Sequence, residues 1–233
     1  MSTRHIHIST FLASFATVNC ASALAATDYP NTAELGYVHV SFNTSSDELT
    51  GPPGTTPPGA TVGLKDTDTL AILYSRHMSG PVSLVLQGGV PPEVHLFGHG
   101  TAAALGEVGE TRAWFPGILV VSTLPRLWTT TPYVGVGINY TFFSGTHVQE
   151  SYTEAVQGSS TTASLSPHAG AIAKAGATIA IAPRWILDFN YSHYWIKTTA
   201  TVNTETPGVG LISRHVNISV NPDILGLSVG YLF

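Results

Sequence analysis

The stretch Leu225-Gly-Leu-Ser-Val-Gly-Tyr-Leu-Phe233 alternates with a period of two. Leu225, Leu227, Val229, Tyr231 and Phe233 share one face, and Gly226, Ser228, Gly230 and Leu232 share the other. An apolar stripe of that period, ending on phenylalanine, reads as the last strand of an outer-membrane barrel, with lipid on one side and a lumen on the other. The rival reading is the last strand of a soluble sandwich, and the rest of the chain decides between them.

Alternation recurs. Val134, Val136, Ile138, Tyr140 and Phe142 oppose Gly135, Gly137, Asn139 and Thr141; Trp185, Leu187, Phe189 and Tyr191 oppose Asp188, Asn190 and Ser192. The segment 171–181 sets small or branched apolar residues against Lys174 and Thr178. Weaker strands are expected at 35–42, 69–77, 82–90 and 113–123, and the final stretch from about His215 makes eight. Connections alternate between long, polar, Gly/Pro/Thr-rich loops (43–68, 91–112, 144–167, 198–214) and short turns (78–81, 125–132, 182–184). The fold class is therefore all-β: an eight-stranded antiparallel transmembrane barrel with long extracellular loops and short periplasmic turns. Val216, Ile218 and Val220 are even-numbered whereas Leu225 to Phe233 are odd, so a bulge at Pro222 is expected to flip the outward parity.

Composition agrees. Only 10% of the 233 residues are charged, against roughly 25% in ordinary soluble domains, and mean hydropathy is +0.20. No apolar run after residue 25 is long enough for a membrane-spanning helix. Arg4, the small apolar run from Phe11 to Leu24 and Ala23-Leu24-Ala25 predict a cleaved secretory signal peptide over residues 1–25, leaving a barrel domain at 26–233 and delivery to the bacterial outer membrane. Cys20 is the one cysteine, so the mature chain has no disulfide. A net charge of −5 argues against nucleic acid. Trp128, Trp185 and Tyr231 fall near expected periplasmic strand ends and Trp114, Tyr194 and Trp195 near extracellular ones, as two interfacial girdles require.

The run Pro132-Tyr-Val-Gly-Val-Gly-Ile-Asn-Tyr-Thr141 and the ending Gly230-Tyr-Leu-Phe233 resemble the P-Y-V-G-x-G-x-N-Y-T and G-Y-x-F motifs of the OmpW family of outer-membrane barrels, which includes alkane-uptake proteins. The family's T-P-F-x-H and H-L-P-P segments stand here as Val90-Pro-Pro-Glu-Val-His95 and Ala113-Trp-Phe-Pro116. The resemblance implies passive movement of small hydrophobic molecules and sideways exit into the bilayer. An eight-stranded interior holds side chains or one small ligand, not an aqueous pore.

Parity directs Asn139, Thr141, Lys174, Thr178, Asp188 and Asn190 into the lumen, with Lys174 opposite Ser192 and Asp188 opposite Thr178. Pro91, Pro92 and Pro116 are expected on both sides of the seam between the third and fourth barrel strands. There, missing donors weaken the ladder and make a lateral opening; prolines that simply end strands are the plainer alternative. Expected partners are outer-membrane lipid and lipopolysaccharide, small hydrophobic ligands, and the assembly machinery that reads the last strand through Tyr231 and Phe233. His95-x-x-x-His99 has helical zinc spacing but falls in a Gly-rich loop, so no metal and no cofactor are expected. No nucleophile elbow, P-loop or carboxylate pair points to an enzyme. A hydrophobic channel predicts that the largest cavity is apolar and reaches the extracellular end. A packed lumen favours the alternative, a non-conducting barrel serving as receptor, adhesin or anchor.

Overall fold

The computed structural model describes residues 29–233, so the expected signal peptide lies outside the described residues. In chain order the strands are β1 (Asn31–Ser41), β2 (Ser45–Ser46), β3 (Ala60–Leu64), β4 (Thr67–Ser79), β5 (Val82–Gly89), β6 (Glu93–Gly100), β7 (Glu107–Trp114) and β8 (Gly117–Thr123). They continue as β9 (Thr130–Val148), β10 (Ser160–Leu165), β11 (His168–Ala182), β12 (Trp185–Tyr194), β13 (Lys197–Thr206), β14 (Gly210–Ser219) and β15 (Asp223–Leu232). One short helix, α1 (Glu150–Ala155), and a 3-10 turn at Ala103–Leu105 join them.

Eight strands close a barrel in the order β1-β4-β5-β8-β9-β11-β12-β15, every neighbour antiparallel. Closure rests on β9 and β11, paired from Thr141↔His168 to Thr130↔Ile179, and on β1 and β15, paired from Thr32↔Leu232 to Ser41↔Asp223. Asn31 and Phe233 exchange two backbone hydrogen bonds at the periplasmic rim. The outward residues are large, apolar and exposed: Leu35, Tyr37, Ile72, Val120, Val134, Val136, Ile138, Phe189, Leu225 and Leu227 form a continuous belt. No soluble monomer carries a belt of that size in water, whereas lipid requires one. Among the described residues no helix is long and apolar enough to cross a membrane.

The segments read as loops are themselves β-structure. Above the barrel, β3, β6, β7 and the upper part of β9 form one wall, and β10, β13, β14 and β2 form another. Leu49 N donates to Ala60 O and Val62 N to the Ser46 hydroxyl, tying the two walls together. Threonine explains the misreading: Thr-rich segments such as Lys197–Thr206 look loop-like, yet a branched side chain suits a pleated surface. The expected strand 113–123 is split, with Ala113 and Trp114 ending β7 and Phe115-Pro116 breaking the chain before β8.

Pro222 does not mark a bulge. From Trp185↔Tyr231 through His193↔Asp223 and Lys197↔Ser219 to Thr206↔Gly210, the residue numbers in every pair add to the same total. The ladder bridges the break: Tyr194 N donates to Pro222 O and Val220 N to Ile196 O. Residues 220–222 interrupt the strand, with Asn221 at φ 37°, yet nothing is inserted. Even-numbered residues point inward on both sides, from Ile212, Val216, Ile218 and Val220 to Ile224 and Ser228. What changes is chemistry, not parity. Above the break the interior is mostly apolar, Arg214, Thr198 and Thr204 excepted, and the exterior polar; below it the exterior is apolar, as the border between water and lipid demands.

This geometry makes Val136, 67% exposed at the middle of the lipid-facing stretch of β9, a sharp test. Val136→Arg is expected to lower folding stability in lipid bilayers by about 2–4 kcal/mol, since that is the cost of Arg at the midplane. Reversible denaturant unfolding in bilayers, with Ser213→Arg in the extracellular wall as the reference, measures it.

Candidate functional site

The six residues directed into the lumen by parity all face inward. Asn139, Thr141, Lys174, Asp188 and Asn190 are buried, and Thr178 lines the periplasmic cavity. The register is as expected, Lys174↔Ser192 and Thr178↔Asp188, and among the described residues no ion pair joins Lys174 to Asp188. The structure brings Asp188 and Asn190 together, with Asn190 Nδ2 donating to Asp188 Oδ2 at 2.7 Å. Asn139 Nδ2 donates to Thr141 Oγ1 at 2.7 Å, nearer the extracellular end.

Four members of this layer escaped the sequence reading: Glu34, Gln87, Tyr133 and Tyr194. Tyr133 donates to Asp188 Oδ2 at 3.0 Å. Its ring lies over Gly176, its direct cross-strand partner, where any Cβ would stand 2.5 Å from the ring. Lys174 Nζ donates to Gln87 Oε1 at 3.3 Å, and the Gln87 amide in turn donates to the Tyr194 hydroxyl. Glu34 Oε2 accepts from Ser228 Oγ at 2.7 Å. Tyr194, expected in the outer girdle, is instead 4% exposed inside the barrel, because it shares the even parity of Asp188 and Asn190. Parity was the signal available for all four: Glu34 alternates with Leu35, and Tyr133 with Val134.

These side chains form a polar partition across the barrel. Asp188 Oδ1 and Asn139 Oδ1 have no protein hydrogen-bond partner, so the layer is not fully self-satisfied. Below it a cavity of about 590 Å³ spans Tyr29, Glu34, Ser75, Arg126, Tyr133 and Lys174 toward the periplasmic end. Above it the interior is mostly apolar, with Arg214 buried toward the extracellular tip and donating to Thr204 Oγ1 at 3.2 Å. One slot of about 30 Å³ is lined by Phe42, Val94, Phe115, Phe143, Ile196 and Val220. A higher one of about 90 Å³ is lined by Leu49, Val62, Leu96, Tyr152, Val202 and Ile218. The periplasmic cavity, far larger than either apolar slot, is partly polar, contrary to the expectation for a hydrophobic channel. Apolar side chains nearly fill the extracellular half.

Phe115 marks the boundary. Its ring meets Tyr194 edge-on at 6.0 Å, and it lines both the lower apolar slot and a small cavity of about 40 Å³ beside Gln87, Gly88 and Lys174. The ladder between neighbouring strands is interrupted at this level. Pairing of β5 with β8 ends at Gln87↔Gly117, and the ladder resumes only where Ala113 N donates to Pro92 O. Between these points Gly88, Gly89, Val90 and Pro91 face Trp114, Phe115 and Pro116 without a ladder. A Cβ built on Gly88 would meet nothing within 4 Å.

The three prolines do not all act there. Pro91 and Pro92 belong to this break, but Pro116 O accepts from Tyr140 N, so the donor Pro116 lacks belongs to the seam with β9. Tyr231 packs edge-on against Trp185 at 5.0 Å and accepts from Arg184 at 3.3 Å at the periplasmic rim, while Phe233 is exposed. His95 and His99 lie on one face of β6, four extended residues apart, too far to share an ion.

Known proteins give the same architecture. The OprG outer-membrane protein of Pseudomonas aeruginosa superposes with a TM-score of 0.75 at 20% identity, covering 87% of this chain and 95% of that one. The outer-membrane protein AlkL in lipid bilayers gives a TM-score of 0.63 at 20% identity over 97% of both chains. Outer membrane protein W of Vibrio cholerae is 29% identical over 140 residues, 58% of this chain. The alignment spans 58% of that protein's length. The OmpW family model matches residues 65–233. An outer-membrane barrel with this strand order, matched by that model over most of its length, belongs to the OmpW family.

Proposed function

We propose that the protein passes small hydrophobic molecules from the extracellular side through its apolar upper interior and sideways into the bilayer at the break between β5 and β8. The carrying observation is the reversal of interior chemistry at Phe115. An apolar solute descending past Val220 and Ile196 meets Tyr194, Gln87, Lys174 and Asn190, whose hydrogen bonds it cannot replace. Beside that partition the wall lacks its ladder, and the outward side is hydrocarbon. Going sideways costs an apolar molecule less than going down. The same proposal includes delivery by a cleaved signal peptide at 1–25, a lipopolysaccharide-facing belt, and recognition of the Tyr231–Phe233 end during assembly.

A second reading, a non-conducting receptor, adhesin or anchor, is favoured by one observation. The lower apolar slot, of about 30 Å³, has room for only about two or three waters, so transport requires Phe115 and its neighbours to part.

Uptake of an apolar probe by proteoliposomes separates the two. Phe115→Ala is expected to raise the rate severalfold, and Pro91→Thr with Pro92→Thr to lower it by mending the break. Pro116→Thr should leave it unchanged, because its donor serves the other seam. Identical rates in all variants and in empty vesicles would favour the receptor. A second measurement addresses the partition. Gln87→Ala combined with Lys174→Ala is expected to raise ion conductance in planar bilayers without slowing apolar uptake.

A further inference from the structure

On the outer surface of the extracellular wall, three donor side chains converge. His95 Nδ1 lies 2.8 Å from Glu107 Oε1 and 3.9 Å from Glu110 Oε2, and one ligand atom from each of the three falls within 4.8 Å of the others. His95 pairs directly with Glu110 across β6 and β7, and Glu110 pairs directly with His147 across β7 and β9. Opposed residues on one face carry Cβ atoms about 4.5–5.5 Å apart, so His147 neighbours Glu110 and reaches the cluster only by turning its side chain toward it.

Two register shifts create this convergence. Gly109 and Thr111 face inward, and the equally odd-numbered Glu107 would follow them. The shift between Leu96 and Phe97 lets Val108 intervene, so that Val108 lines the interior slot and Glu107 turns out to meet His95. The second shift lies between Glu110 and Arg112, opposite Gly145 at φ 63°, and sets His147 against Glu110. Bulges of this kind commonly re-aim a side chain at a site. Both here deliver a metal-ligating type.

We propose that His95, Glu107 and Glu110, with His147 as fourth donor, bind a divalent first-row transition ion. Imidazole with carboxylates suits zinc and its neighbours. Ligand bonds of about 2.0–2.2 Å put two ligands of a tetrahedron roughly 3.3–3.6 Å apart, and the 2.8 and 3.9 Å separations bracket that spacing. Among the described residues, the ion pairs of both carboxylates run to His95 alone. Gln149 Nε2 donates to Glu107 Oε1 at 3.4 Å and orients it from behind, as groups beyond the ligands do. The His39–Asp68 and His193–Asp223 pairs elsewhere on the exterior bring one carboxylate to each imidazole.

The test is a calorimetric titration of Zn²⁺ into the full-length protein in detergent micelles with excess Mg²⁺ present. One site is expected in the wild type. Losing a group behind a ligand costs about 10–100-fold in affinity, so Glu107→Gln with Glu110→Gln is expected to weaken binding by at least about tenfold. His95→Asn, which keeps a polar side chain if the double variant fails to fold, should do the same. His39→Asn with His193→Asn should bind as the wild type does. Absence of zinc binding by the wild type overturns the proposal, and so does retained affinity in the Glu107/Glu110 or His95 variants.

Discussion

Lipid supplies no hydrogen bonds, so a chain crossing it as strands must pair each strand on both sides. Here that requirement is met by eight strands closed between β9 and β11 and between β1 and β15. Once the wall closes, alternation leaves each residue only two directions. Every later feature, from the apolar belt to the polar partition, follows from which direction a given side chain takes. The break between β5 and β8 stands out because the interruption at residues 220–222 is bridged by backbone hydrogen bonds and this one is not.

The alternation of 133–143, 185–195 and 225–233 carried the barrel, because lipid enforces an apolar exterior that sequence displays directly. The same rule failed outside the membrane. Val216, Ile218 and Val220 are apolar because they fill the interior of an extracellular wall, and an expectation of lipid on the apolar side turned them into evidence for a bulge. The threonine-rich hairpin of β13 and β14 was hidden because polar content suggests a loop, although its partners lie close in sequence, down to Thr206↔Gly210. Tyr194 was drawn to a girdle by its aromaticity, although its parity with Asp188 and Asn190 already directed it inward. Glu107 was unreadable: its orientation depends on an extra residue in one strand that no local pattern announces.

The interior has two solvents stacked on one axis. The polar layer around Asp188, Tyr133, Lys174 and Gln87 holds water-compatible groups in the membrane-spanning half, while Phe115, Ile196 and Val220 exclude water above it. Hydrogen-bonded networks resist apolar intrusion because a displaced partner leaves a buried polar group unpaired. Close-packed aliphatic side chains resist less, since they can trade one contact for another. The softer side of this junction adjoins the stretch from Gly88 to Pro91, which is held to β4 but not to β8.

The hairpin running from Trp185 to Leu232 keeps one register along its whole length, far beyond the hydrocarbon. Its tip must traverse the bilayer when the barrel is built. Between Lys197 and Ser219 the charged side chains are Lys197, Glu205 and Arg214. Threonine and serine make up much of the remainder, so few ions need be carried across. An extension meant to stand in water is thus composed to tolerate a brief passage through oil.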